Sequence, residues 1–133
     1  MSQENIIAII QARMGSSRLP GKVLRDLGGE PVLARVINRV LRAKTLNGVV
    51  VATTTDPADD PIAEFCQQQA VPVFRGSQFD VLDRYYQAAR EHQADVVVRI
   101  TADCPMIDPQ EIDSVVTAFL EGEYDFAANR LPP

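Results

Sequence analysis

The sequence predicts an α/β fold, a parallel sheet flanked by helices in the order β-α-β-α-β-α-β-α. Three observations predict it. Four short runs are rich in β-branched residues and apolar on both faces, as strands buried in a parallel sheet are. Four stretches between and after them carry helical spacing or helix-end signals. The two kinds alternate strictly, which implies right-handed crossovers within one sheet. At 133 residues the chain is one domain, residues 1–133, large enough for a core without disulfides or metals.

The first strand is NIIAIIQA at 5–12. The first helix is PVLARVINRVLRAK, with Val32, Leu33, Val36, Ile37, Val40 and Leu41 on one face, Arg35, Arg39 and Arg42 on another, and Pro31 in its first turn. GVVVATT at 48–54 is the second strand and PADDPIAEFCQQQ the second helix. VPVF at 71–74 precedes a helix in FDVLDRYYQAAREHQ, with Asp80 near its start. ADVVVRIT at 94–101 precedes DPQEIDSVVTAFLEG, where Asp108 is the N-cap, Pro109 opens the helix and Gly122 follows its end. A fifth strand is expected at 124–128.

A formal net charge of −5 argues against a general nucleic-acid or acidic-membrane surface, so anion binding must be local. Cys66 and Cys104 show no metal-ligand or CxxC spacing, which fits a reducing cytoplasm. The apolar stretch at 6–10 is too short for a signal-peptide core or a bilayer span, so no membrane is expected. His92 is the single histidine and reads as exposed on a polar helix face, leaving Ser-His or Cys-His catalysis without support.

Ligands of an open parallel sheet bind beyond the carboxyl ends of its strands. After the first strand comes QARMGSSRLPGK, where Gly15 and Gly21 permit close backbone approach, Arg13, Arg18 and Lys22 supply charge suited to phosphate, and Ser16 and Ser17 supply hydroxyls. Solvated surface cations are the alternative. The loop is not a Walker A motif: five residues separate Gly15 from Gly21, and Val23 follows Lys22. After the fourth strand, Asp103 is placed to bind a divalent cation bridging phosphates, or to form an Asx turn before Pro105. Arg84 stands one helical turn after Asp80, as an ion pair or as a ligand contact. Thr53, Thr54, Thr55 and Asp56 offer short polar groups for a base or ribose edge, with helix capping the stronger reading for Thr55 and Asp56.

The stretches IIQARMGSSRLPGKVLRDLGGEPVLARVINRV, VVATTTD, FRGSQFDVLDRYYQAA and VVRITADCPMID together resemble the cytidylyltransferase family, in the branch called spore coat polysaccharide biosynthesis protein F, related to CMP-KDO and CMP-sialic acid synthetases. The resemblance covers nearly the whole chain. It implies a Rossmann-like nucleotidyltransferase fold of the GT-A type, with Mg2+ as cofactor, a nucleoside triphosphate, usually CTP, and a sugar or sugar acid as substrates, and pyrophosphate as product, in surface polysaccharide biosynthesis. By position it implies Arg13, Ser16, Arg18 and Lys22 as the loop that holds the triphosphate, with Arg13, Arg18 and Lys22 as the catalytic cations, Asp83 and Arg84 as a pair in the nucleotide-binding region, and the metal at Asp103; Ala12, Gly15 and Thr53 join the nucleotide-binding set from their strand-end positions. The CMP-KDO synthetases carry Gln-Gly-Asp where Thr101 and Ala102 precede Asp103 here. Members are longer, so residues 1–133 correspond to an N-terminal nucleotide-binding part, and the resemblance admits a homodimer. Glycosyl transfer from an NDP-sugar and nucleotide binding without catalysis are the competing functions.

Overall fold

The computed structural model describes residues 4–15, 22–102 and 107–121. In chain order the elements are β1 (Ile6–Gln11), β2 (Asp26–Leu27), β3 (Glu30–Pro31), α1 (Val32–Val40), β4 (Gly48–Thr54), α2 (Asp60–Gln68), β5 (Val73–Gly76), α3 (Val81–Glu91), β6 (Val96–Thr101) and α4 (Pro109–Leu120). Single 3-10 turns occupy Lys22–Leu24 and Pro57–Asp59. The expected strand at 124–128 lies outside the described residues.

The main sheet has the order β5-β4-β1-β6, and every pairing is parallel. The chain steps from β1 through β4 to β5 in one direction and then returns past β1 to β6. Right-handed crossovers require helices on opposite faces for opposite directions of travel. Accordingly α1 and α2 cover one face and α3 the other, with α4 joining the first. Alternation divides β1 between them: Ile6, Ala8 and Ile10 pack with α1, α2 and α4, whereas Ile7 and Ile9 pack with Tyr85 and Ala88 of α3. The fold is therefore the Rossmann-like parallel sheet with flanking helices. Its topological switch point lies between β1 and β6, where Gln11 is in register with Thr101.

Several boundaries differ from the sequence reading for definable reasons. Helix α1 stops at Val40 because Asp113 of α4 captures the amides of Lys44 (3.0 Å) and Thr45 (2.9 Å), drawing the chain away. Leu41 is then left 59% exposed as the C-cap, off the apolar face to which spacing assigned it. Pro31 is the N-cap, not the first helical residue, since it also pairs with Asp26 in a small β2–β3 hairpin. The two turn residues, Gly28 and Gly29, have φ of +64° and +97°, which side chains other than glycine adopt at a cost. His92 is half-buried rather than exposed, and it closes α3 beside an apolar groove formed with Leu41, Ala70 and Pro72.

Candidate functional site

Three described loops meet at the carboxyl edge of the sheet. The first leaves β1 at Ala12, which is 1% exposed and whose N–H donates to the Ala52 carbonyl at 3.0 Å, so β1–β4 pairing extends into the loop. Arg13 follows. A Cβ placed on Gly15 would lie 3.8 Å from Arg13 Nη2, so the guanidinium rests against the Gly15 backbone. The chain re-enters the described residues at Lys22, and Val23 anchors it in the core.

The second loop follows β4. Asp56 accepts the Ala58 N–H at 3.0 Å and caps the short turn there, as its position before Pro57 suggests. Arg75 binds this loop to β5: its Nε donates to the Thr54 carbonyl (2.7 Å), its Nη2 donates to the Asp56 carbonyl (3.0 Å), and the same nitrogen pairs with Asp60 (2.8 Å). At the floor lies Asp59, a carboxylate only 1% exposed. Its Oδ1 accepts the Met14 N–H at 2.7 Å, and its Oδ2 accepts the Thr54 hydroxyl.

The third loop leads from β5 into α3. Asp80 is the N-cap and accepts the Asp83 N–H at 3.0 Å. Arg84 does not pair with Asp80, contrary to the ion pair that their spacing allows. It is fully buried, and its Nη1 donates to the Ser77 carbonyl. Gly76 makes this burial possible, because a Cβ there would come within 2.7 Å of the Phe74 ring and 3.2 Å of Arg84 Cγ.

The electrostatics of this edge favour an incoming anion. Burial lowers the Arg84 pKa, and the Arg13 charge lowers it further, against the opposing influence of Tyr85 and Asp59. The buried Arg84 guanidinium thus lies near the half-buried Arg13 in a place with little water, where an incoming anion gains more than it would in water. Arg84 Nε and Nη2, Arg13 Nε, Gln11 Oε1 and Thr53 Oγ1 are buried side-chain atoms without a hydrogen-bond partner. Buried polar atoms are normally paired, and unpaired ones call for an explanation such as a ligand.

The structure brings Ala12, Arg13, Gly15 and Arg84 together at this edge. Thr53 points to the other side of the sheet from Thr54, in line with Val49 and Val51 against α1 and α2. Asp83 neighbours Arg84 in sequence but faces another way on the helix, where Gln87 donates to its carboxylate at 3.4 Å. Ser16, Arg18 and Asp103 lie outside the described residues, as does the Lys22 side chain. Both flanks of the Asp103 loop are fixed nonetheless. The Ala102 N–H donates to the Gln11 carbonyl (2.9 Å), and Ile107, 1% exposed, has its carbonyl held by Arg39 Nε at 2.6 Å.

Asp59 and Arg75 escaped the sequence reading. In DPADDP an acid reads as first-turn helix charge, and a lone arginine after VPVF reads as surface. No metal-binding cluster of His, Cys, Asp and Glu occurs among the described residues. None of their helices is long and apolar enough to cross a membrane.

The parallel sheet, with its order reversing beside β1 and a buried cation with unpaired donors at its carboxyl edge, puts the chain in the Rossmann-like α/β class. Comparison with known proteins narrows this. A family model described as cytidylyltransferase matches residues 7–131, and the chain belongs to that family. It is 39% identical over 126 residues to the spore coat polysaccharide biosynthesis protein SpsF of Bacillus subtilis, covering 92% of this chain and 52% of that protein. A solved cytidylyltransferase from Leptospira borgpetersenii superposes with a TM-score of 0.85 at 40% identity, covering 91% of this chain and 51% of the other. The CMP:2-keto-3-deoxy-manno-octonic acid synthetase complexed with CTP superposes at 0.75 with 27% identity, covering 90% and 48%. The chain spans about half the length of the relatives it matches.

Proposed function

We propose that this chain is the nucleotide-binding part of a sugar nucleotidyltransferase that couples CTP to a sugar or sugar acid for surface polysaccharide synthesis. The observation that carries the reading is the buried Arg84 guanidinium with the half-buried Arg13 beside it, both with unpaired buried N–H groups at the carboxyl edge of the sheet. The acceptor oxygen bonds to the α-phosphorus, the bond to the bridging oxygen of pyrophosphate breaks, and the acceptor proton passes to solvent. Such transfer depends on positioning and on cancelling phosphate charge, and it requires no protein nucleophile.

Arg13 and Arg84 hold the polyphosphate, and Gly15 lets the backbone approach it. Arg18, Ser16 and Lys22 complete the grip in this proposal. The donor set suits a hard divalent ion: Gln11 Oε1 is an unpaired buried oxygen in the strand against which the residue before Asp103 is hydrogen-bonded. Asp103 would hold Mg2+, which supplies charge neutralisation on the phosphates. The reading goes with a cytoplasmic location, supported by Cys66 as a free buried thiol, and with no nucleic-acid or membrane partner. It also includes a homodimer, supported by the exposed apolar residues Phe79, Leu82 and Tyr86.

Thermal melting with CTP, ATP, GTP and UTP, each with and without Mg2+, tests the proposal, since a ligand bound by the folded state raises the melting temperature. A Mg2+-dependent rise selective for CTP is the expected result. No rise with any triphosphate refutes a working site in this chain. Binding without pyrophosphate release in the presence of sugar acids selects the non-catalytic module, a reading favoured by the half-length match.

A further inference from the structure

Asp59 stands where a triphosphate site predicts no acid. It is buried at the foot of the first loop, and its charge acts on the same Arg84 whose neighbour is Arg13. By Coulomb's law alone it should repel the ligand just proposed. Its contacts supply a different role. One oxygen takes the N–H of Met14, the residue between Arg13 and Gly15, across 45 positions of sequence. The other takes the Thr54 hydroxyl, whose oxygen also accepts the Asp56 N–H at 3.1 Å, while the Asp59 N–H donates to the Asp56 carbonyl at 2.9 Å. The carboxylate is therefore fixed from the β4 side before it reaches across to the β1 loop.

We infer that Asp59 is a positioning residue that holds the Arg13–Gly15 turn in its phosphate-receiving geometry; the inference rests on the nucleotide reading for what that turn receives. A glycine-containing turn at a strand end is costly to order, because each residue fixed loses backbone freedom and glycine loses the most. Fixing the Met14 amide in advance removes part of that cost from binding. The anionic oxygen also favours the charged form of the buried Arg84 guanidinium. Positioning and charge repulsion make opposite predictions, which gives the inference a sign.

The experiment uses Asp59→Ala and Asp59→Asn, with amide hydrogen exchange read at Met14 and affinity for Mg2+-CTP measured by calorimetry. Asp59→Ala removes a negative charge yet should weaken CTP binding about tenfold and accelerate exchange at Met14, leaving the β1 amides unchanged. Asp59→Asn keeps an oxygen for the Met14 N–H and should restore affinity to within about threefold and recover the protection, because the role is carried by the acceptor. Equal or tighter binding by Asp59→Ala, or continued Met14 protection in it, overturns the inference. Equal acceleration along β1 also overturns it, since Asp59 would then serve stability at large. A wild-type chain that ignores CTP defeats the nucleotide reading, and the exchange measurements then decide the positioning role on their own.

Discussion

Replacing Arg84 with methionine should make the free chain more stable and less able to bind nucleotide. The methionine follows the aliphatic stem that passes Gly76 but lacks the two buried N–H groups that find no partner. Leaving a donor buried and unpaired costs about 1–3 kcal/mol, and a hydrogen bond such as that to the Ser77 carbonyl returns about 1 kcal/mol. The balance favours the variant by about 2 kcal/mol, in the direction expected when a buried charge without a bonded carboxylate gives way to apolar packing. With an unfolding entropy of about 2.1 cal/mol/K per residue, a chain of 133 residues should melt roughly 7 °C higher. Calorimetry without ligand and again with saturating Mg2+-CTP is the assay. Wild type should rise on adding ligand, and Arg84→Met should start higher and stay there. A variant that melts below wild type refutes the reasoning, because the guanidinium would then be well paired at rest.

Asp113 gives a pH prediction. Burial opposes its ionisation, but the Thr45 hydroxyl (2.6 Å) and the amides of Thr45 and Lys44 outweigh burial and lower its pKa. A carboxyl lowered by folding adds stability above its unfolded pKa of 3.8 and loses it as pH falls through the lower folded value. Asp113→Asn should therefore be weaker than wild type at neutral pH by about 1–2 kcal/mol, with the gap closing below about pH 4. Urea midpoints that stay parallel down to about pH 2 would contradict this. Leu82 and Tyr86, one turn apart on α3, are 69% and 60% exposed, and Phe79, just before the N-cap of that helix, is 89% exposed. Wild type should associate over the micromolar range in sedimentation, and Phe79→Ser with Leu82→Ser should abolish it. A wild-type monomer across that range removes the homodimer.

What the sequence disclosed and what it hid divide along a physical line. Strands β1 and β4 are legible because burial on both faces forces consecutive β-branched residues, and the caps Asp56, Asp80 and Asp108 are legible because capping is local. Strand β5 was placed two residues early, since a half-buried edge strand carries a weaker apolar signal. The end of α1 depends on Asp113, 68 and 69 residues away from Thr45 and Lys44, which no local pattern records. In the site, the glycines and cations after β1 announced themselves by composition. Arg84 was visible as a charge one turn from Asp80, but its burial depends on the missing side chain of Gly76 and on tertiary packing. Asp59 was hidden for the same reason, its partners being a backbone amide and a hydroxyl from two other segments.

The position of these groups accounts for how a chain of net charge −5 would carry the proposed polyanion site. General attraction is absent, so the attraction must be concentrated where desolvation strengthens it, and the carboxyl edge of the sheet, where the β1 loop meets the loop from β5 into α3, provides that place. Concentration has a structural cost: burial and the Arg13 charge disfavour the charged form of Arg84, and the unpaired nitrogens of both residues forgo bonds that water would have supplied. Asp59 offsets part of this from beneath, while its bonds to Met14 and Thr54 spend both carboxylate oxygens on the scaffold. With its acceptors already engaged, the acid restrains the loop without offering itself as a competing ligand for the arginines. The remaining deficit at Arg13 and Arg84 is what an entering phosphate would satisfy, so the cost of these unpaired donors and the proposed affinity for an anion have one physical origin.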